Sequence, residues 1–294
     1  MINYYQGART NSEVFKQLFC KELLFVYSDC PFGCTKQDSW SQYNYILYIV
    51  SGKKVLYTTN RSWILTKGTA VFVKKGACVI EKLDGEVLCL MAFFIPDNYL
   101  RSFLIENPTL LTGEKINTHD NNMVLSLEVN EMMLAYFESV IPYFFSPVKP
   151  PESLLELKFR ELLFNVIGNS SNEELNSFLQ TIVSPHVNNI TPVIEANYCY
   201  NLTLSEYASL CNRSLSSFKR DFYSLYGMSP ARWLLEKRLT YALKLLRNSD
   251  NPIIDISFKS GFENSTHFSH AFKKHFGVSP LKYRQENTSL ESSR

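Results

Sequence analysis

One element is written twice in this chain. Phe218, Phe222, Tyr226, Gly227, Ser229 and Pro230 return fifty positions later as Phe268, Phe272, Phe276, Gly277, Ser279 and Pro280, and Trp233 has an aromatic counterpart in Tyr283. Aromatics at i, i+4 and i+8 predict one buried stripe on a short helix. The glycine ends that helix by adopting the left-handed conformation that other residues avoid. Ser-Pro then starts the next helix, with serine as the cap and proline at the first helical position. A duplicated unit of this kind presents two equivalent helices to something repetitive, and duplex DNA is the obvious candidate.

Each copy is preceded by a shorter helical run and a tight break. Leu204–Leu210 leads into Cys211-Asn-Arg-Ser214, and Ile253–Lys259 leads into Ser260-Gly-Phe-Glu263. A short helix, a turn of three or four residues that often carries glycine, and a second helix make a helix-turn-helix. Gly261 falls in the second turn, and Asn264 or Ser265 is placed to cap the helix after it. With Leu215, Phe218, Phe222 and Leu225 or Tyr226 facing inward, the first helix exposes Ser216, Lys219, Arg220 and Tyr223. The second exposes Thr266, Ser269, His270 and Lys273. Hydroxyls, basic groups and a histidine are the mixture that reads base edges and anchors on phosphates. A solvated basic face is the simpler account of one such helix; two in register favour DNA.

Pro230 to about Arg247 reads as one helix, with Leu234, Leu235, Leu239, Ala242, Leu245 and Leu246 as its apolar face. Its length is roughly 27 Å at 1.5 Å per residue, close to the ~34 Å between successive major-groove segments on one side of B-DNA. Residues 188–286 closely resemble the DNA-binding domain of the AraC/XylS bacterial transcription regulators. The resemblance rests on Arg238–Leu246, Ile253 with Ile256, Gly261-Phe262, His267-Phe268 with Phe272-Lys273-Lys274, and Gly277-Val-Ser-Pro280 with Tyr283-Arg284. It implies base contacts from Ser216, Lys219 and Arg220, and places Ser265, Thr266, His267 and His270 at or near the groove. The candidate DNA-binding residues are thus Ser214, Ser216, Ser217, Lys219, Arg220, Tyr223, Asn264, Ser265, Thr266, His267, His270, Lys273 and Lys274. The chain departs from the family at Ser257-Phe258, where alanine usually follows Ile256, and at Tyr207-Ala208 in place of a leucine-alanine pair. Both departures read as packing variations.

A chain of 294 residues has room for two domains with real cores. The net charge of +2 hides an asymmetry: residues 190–294 hold 14 Lys+Arg against 9 Asp+Glu, and the remainder 16 against 19. The positive excess therefore lies on the half expected to meet phosphates, which predicts salt-sensitive affinity. No apolar stretch reaches the ~20 residues that span a bilayer, and no basic-then-apolar signal segment opens the sequence. The seven cysteines are irregularly spaced and read as reduced thiols. Cytoplasmic residence without membrane association is the expectation.

From Tyr43 to Pro96 the chain becomes a series of short β-prone runs: Tyr45–Val50, Lys54–Thr58, Trp63–Leu65, Ala70–Val73, Cys78–Glu81 and Val87–Phe94. Turns fall at Ser51-Gly52, Lys67-Gly68, Lys75-Gly76 and Asp84-Gly85. This rhythm predicts a compact antiparallel barrel or jelly roll. The order resembles the cupin-like sensor domain found in the same regulator family, with Lys67–Gly76 as its clearest marker; that stretch is also similar to type III secretion activators of the ExsA kind. Tyr43, Tyr45, Tyr48, Tyr57 and Trp63 line an apolar ligand pocket or, more simply, belong to the barrel core.

A cupin raises the question of metal chemistry. Catalytic cupins bind metal through clustered histidines and a carboxylate, but no histidine precedes His119, so the strands lack that triad. Cys30 and Cys34 have the spacing of half a zinc site, and some relatives of this DNA-binding domain carry a four-cysteine zinc site that accepts alkyl groups. Cys78 and Cys89 are the only partners at hand in the strands, and free cysteine in an apolar strand is ordinarily core. His267, His270 and His275 lack a soft ligand beside them, and Cys211 reads as core. No metal, cofactor or catalytic residue is expected. The alternatives are a thiol- or zinc-based sensor or alkyl acceptor and, last, a cupin enzyme.

Asn122–Phe145, Glu152–Ile167 and Glu173–Val183 read as helices, broken at Pro147–Pro151 and Gly168–Asn172. Stripes such as Leu154, Leu157, Leu162 and Phe164 pack on the barrel or pair two subunits, and two long apolar helices favour a homodimer. The expected architecture is α+β. A cupin-like antiparallel β-barrel at 1–118 precedes a helical connector and dimerisation region at 119–185. An all-α double helix-turn-helix domain follows at 186–286, with a disordered tail at 287–294. The expected function is a DNA-binding transcription regulator and activator at promoter DNA, with RNA polymerase as the partner the resemblance implies. Its N-terminal domain senses a small-molecule effector or a protein antagonist.

Overall fold

The computed structural model describes residues 1–28, 36–59, 61–83, 87–111, 122–183 and 190–291, the last five of these as backbone only. The chain divides into two compact units, Met1–Asn188 and Asn189–Arg294.

The first unit is built on β1 (Ile2–Asn3), α1 (Tyr4–Thr10), β2 (Phe15–Cys20), β3 (Leu23–Ser28), β4 (Lys36–Ser41), β5 (Asn44–Ser51), β6 (Lys53–Tyr57) and β7 (Ser62–Thr66). It continues through β8 (Ala70–Val73), β9 (Gly76–Lys82), β10 (Cys89–Ile95), α2 (Asp97–Glu106), β11 (Val124–Leu127), α3 (Glu131–Phe145), α4 (Glu152–Ile167) and α5 (Glu173–Val183). Two sheets form, in the orders β1-β4-β9-β6-β7 and β11-β8-β5-β10-β3-β2. The described pairings are antiparallel apart from β1 with β4. All six strand runs expected between Tyr45 and Phe94 are present; the turn at Asp84-Gly85 lies outside the described residues.

Strand alternation sorts the side chains into two cores. Leu24 and Val26 of β3, Leu47 and Ile49 of β5, and Leu90 and Phe94 of β10 lie in the core that joins the two sheets. Their neighbours Phe25, Ile46, Tyr48, Met91 and Phe93 point the other way and meet the helices. There Tyr48 stacks on Phe137 of α3 with ring centroids 3.9 Å apart, and Phe25 meets Phe159 of α4 edge-on at 5.5 Å. The six-stranded sheet is therefore buried on both faces, and the helices of 131–183 are its second cover.

Two expectations change here. Residues 122–145 are not one helix: Val124–Leu127 pairs with β8 as an edge strand, and α3 starts after Asn130, whose side chain accepts from the Met133 amide. The buried face of α4 is Leu155, Phe159, Leu162, Leu163 and Val166; Leu157 and Phe164 of the expected stripe stay 64% and 40% exposed. The stripe read from sequence is thus partly out of phase with the face the sheet selects. Among the tyrosines, Tyr45 and Tyr48 are core, and Tyr57 donates to Glu81 at 2.5 Å. None of the five aromatics lines the cavity of about 300 Å³ between the sheets, whose walls include Tyr4, Ala8, Phe15, Lys54, Leu88 and Leu90.

The second unit contains α6 (Ile190–Asn197), α7 (Leu204–Leu210), α8 (Leu215–Tyr226), α9 (Pro230–Asn248), α10 (Ile253–Lys259), α11 (Ser265–Phe276) and α12 (Pro280–Glu291). The last helix runs past the expected tail boundary at Asn287, since no glycine or proline interrupts the chain between Leu281 and Glu291.

Phe159 is fully buried against Phe25 and Tyr99. Phe159→Ala should lower the stability of the first unit by about 3–5 kcal/mol, measured by urea unfolding monitored on the N-terminal aromatics.

Candidate nucleic-acid interface

The two repeats are copies in space as well as in sequence. Phe218–Phe222 and Phe268–Phe272 have ring centroids 5.7 and 5.6 Å apart. The next pairs, Phe222–Tyr226 and Phe272–Phe276, lie at 4.4 and 4.6 Å. Across the break, Phe222–Trp233 and Phe272–Tyr283 both stand at 5.9 Å. Both helices end at a left-handed glycine, Gly227 at φ 65° and Gly277 at φ 82°, whose N–H donates to the carbonyl four residues back. Both begin on a polar cap: Ser214 accepts from the Ser217 amide and Asn264 from the His267 amide.

Ahead of α8, a reciprocal capping box between Thr203 and Glu206 starts α7. Asn212 supplies the left-handed turn residue at φ 54°. Ahead of α11 that role passes to Gly261 at φ 85°. Tyr207 is fully buried and its hydroxyl donates to the Asn197 carbonyl at 2.8 Å. Ser257 is also buried and donates to the Ile254 carbonyl. Tyr207 and Ser257 are therefore accommodated inside the helical core, whereas Phe258 is 53% exposed.

With the aromatic stripes turned inward, Ser216, Lys219, Arg220 and Tyr223 stand exposed on α8, and Thr266, His267, His270, Lys273 and Lys274 on α11. Ser217 and Ser265 are half-buried, and Ser214 and Asn264 already serve as caps. Tyr226 takes the inward position left open between it and Leu225, which is 47% exposed. Leu235, assigned to the apolar face of α9, is 37% exposed. Sequence reasoning missed Asp221. Its carboxyl is raised by partial burial, but a hydrogen bond from Arg220 and the charges of Arg213 and Arg220 outweigh this and hold it below the usual range. Arg213 and Arg220 both pair with it, and Arg220 also donates to Ser217 at 3.3 Å. These bonds engage the Arg220 guanidinium itself, from Nε and a terminal nitrogen, while the side chain remains 77% exposed.

The thiol alternative finds little support in the strands. Cys78 is on β9 and Cys89 on β10, in different sheets. Burial pushes the Cys78 thiol up to about 11, against the lowering effect of Lys54. Cys30 and Cys34 lie outside the described residues. Among the described residues no cluster of three or more His, Cys, Asp or Glu is arranged to hold a metal ion, and no helix is long and apolar enough to cross a membrane.

Two helix-turn-helix units with polar, basic outer faces define a DNA-binding protein. A family model described as the ExsA N-terminal regulatory domain matches residues 44–178, and one described as a helix-turn-helix domain matches residues 207–286. The chain is similar to the HTH-type transcriptional regulator ExsA of Pseudomonas aeruginosa, 24% identical over 240 residues, covering 82% of this chain and 85% of that one. It is similar also to the virulence regulon transcriptional activator VirF of Yersinia enterocolitica, 24% identical over 239 residues, covering 81% and 88%. The solved structure of ToxT from Vibrio cholerae is 16% identical, covering 85% of this chain and 98% of that one at a TM-score of 0.37. Together these matches support an AraC/XylS family transcriptional regulator, with an N-terminal regulatory domain and a C-terminal DNA-binding domain.

A Cβ added at Gly227 meets nothing within 4 Å, whereas one at Gly261 falls 2.7 Å from the Cys199 carbonyl oxygen. Gly227→Ala should cost about 1–2 kcal/mol, the left-handed penalty alone. Gly261→Ala should cost clearly more, and thermal unfolding of the two variants side by side checks the difference.

Proposed function

We propose that the protein is a promoter-binding activator that sets α8 and α11 into successive major-groove segments on one face of the duplex. The observation that carries this is the duplicated geometry: two helices with matched caps and stripes, joined by the nineteen residues of α9, which span about 28 Å. Ser216, Lys219, Arg220 and Tyr223 contact DNA from α8; Thr266, His267, His270, Lys273 and Lys274 do so from α11. Ser214, Ser217, Asn264 and Ser265 approach the backbone at the helix N-termini, where free amides and the helix dipole favour phosphate. The names of the relatives support activation over repression; the family resemblance implies RNA polymerase as the recruited partner, in the cytoplasm.

The N-terminal unit receives the signal and shifts the population of DNA-competent states. Its cavity between the sheets supports a small-molecule effector over a protein antagonist. The apolar side chains left exposed on the helices, Met132, Leu134, Leu157 and Phe164, support a homodimer. The reading includes no catalytic step and no cofactor.

The test uses duplex DNA selected by the full-length protein from a random library. Arg220→Ala and His270→Ala should each weaken binding by about 1–3 kcal/mol in fluorescence anisotropy, with unchanged circular dichroism. If both variants bind the selected DNA as tightly as wild type, the assignment of groove-facing residues is wrong.

A further inference from the structure

The segment before α7 and the turn before α11 come together beside Arg238. Arg238, on α9, donates from Nε to the Tyr198 carbonyl and from a terminal nitrogen to the Tyr200 carbonyl, both at 2.7 Å. The segment it holds, 198–201, leads into the cap of α7. Against the same segment, beside Arg238, lies Gly261, in the turn before α11. Its missing side chain lets the Cys199 carbonyl come close: a Cβ there would stand 2.7 Å from that oxygen and 3.0 Å from the Arg238 Nε. Asn201 and Glu263 close the exposed edge of the contact with a side-chain hydrogen bond.

We infer that Arg238 is a positioning residue for DNA recognition, fastening the turn before α11 to the segment before α7 and so setting the spacing at which the two recognition helices meet the duplex. A planar guanidinium satisfies two carbonyls two residues apart with a fixed fork of donors, which a lysine ammonium does not reproduce. Both partners of the contact end within a few residues of a helix cap, Thr203 for α7 and Asn264 for α11. Slack introduced there passes directly to α11. Each helix-turn-helix keeps its own aromatic stripe, so it still recognises its own half-site. What is lost is the advantage of engaging both halves at once, which depends on a rigid link of the right length.

The inference rests on the two-segment reading of DNA binding, and the experiment separates the two. The full-length protein is assayed on a selected bipartite site, on the same DNA with either half scrambled, and on versions with one base pair inserted or deleted between the halves. Arg238→Ala should lose about tenfold or more on the intact site, keep half-site affinity within about twofold, and discriminate less against altered spacing. Arg238→Lys should fall between, and Gly261→Ala should share the spacing phenotype. Should Arg238→Ala fail to fold, Asn201→Ala on the exposed edge should relax spacing discrimination in the same direction. Equal losses on half-sites and intact site, or undiminished spacing discrimination in the folded variants, overturn the role of Arg238. A wild-type protein that selects no bipartite site overturns the underlying functional reading instead.

Discussion

Burial of the aromatic stripe on each recognition helix is the constraint from which the rest of the DNA-binding unit follows. Phe218 and Phe222, and their copies Phe268 and Phe272, are fully buried. Each such ring contributes roughly 1.5–3 kcal/mol from its removal from water. Because the stripe occupies one side of a helix of just over three turns, the opposite side is left to polar and basic residues. The left-handed glycine and the Ser-Pro that follow turn the chain so that Trp233 and Tyr283 complete the same stacks. One packing solution, used twice, therefore both stabilises the unit and aims its reading faces.

Joining the copies is a separate physical problem. The distal half of α9 supplies Leu239, Ala242 and Leu246 to the core of the second copy, while Trp233 and Leu234 near its start serve the first. A shared helix sets an approximate separation of the copies, and the packing around it decides how firmly that spacing is held. The contact among Arg238, residues 198–201 and Gly261 adds such a restraint. The regulatory unit solves a different problem, covering both faces of one sheet. Aromatic packing again dominates there, with Tyr48, Phe93 and Phe25 turned towards α3 and α4.

Local signals made most of the second unit legible. Capping serines, αL glycines and the i, i+4, i+8 aromatics each act within a few residues, and each is found in its expected position, although Ser229 makes no side-chain capping bond. Features decided by distant partners were not legible. The run of β3, Leu-Leu-Phe-Val-Tyr-Ser, is buried on both faces and so shows no alternation. The polar β4 becomes a strand through pairing with β9, and β11 through pairing with β8. The face of α4 was misjudged because the sheet, not the helix, selects which leucines it buries. Arg238 binds carbonyls forty and thirty-eight positions away, a partnership without a sequence signature.

The central claim is that both helices read one face of the duplex at a fixed separation. Hydroxyl-radical footprinting of the full-length protein on selected promoter DNA tests it most directly. Two protected patches on the same face, centred about 10 base pairs apart, are the predicted result. A single patch, or two patches on opposite faces of the helix, would contradict the account.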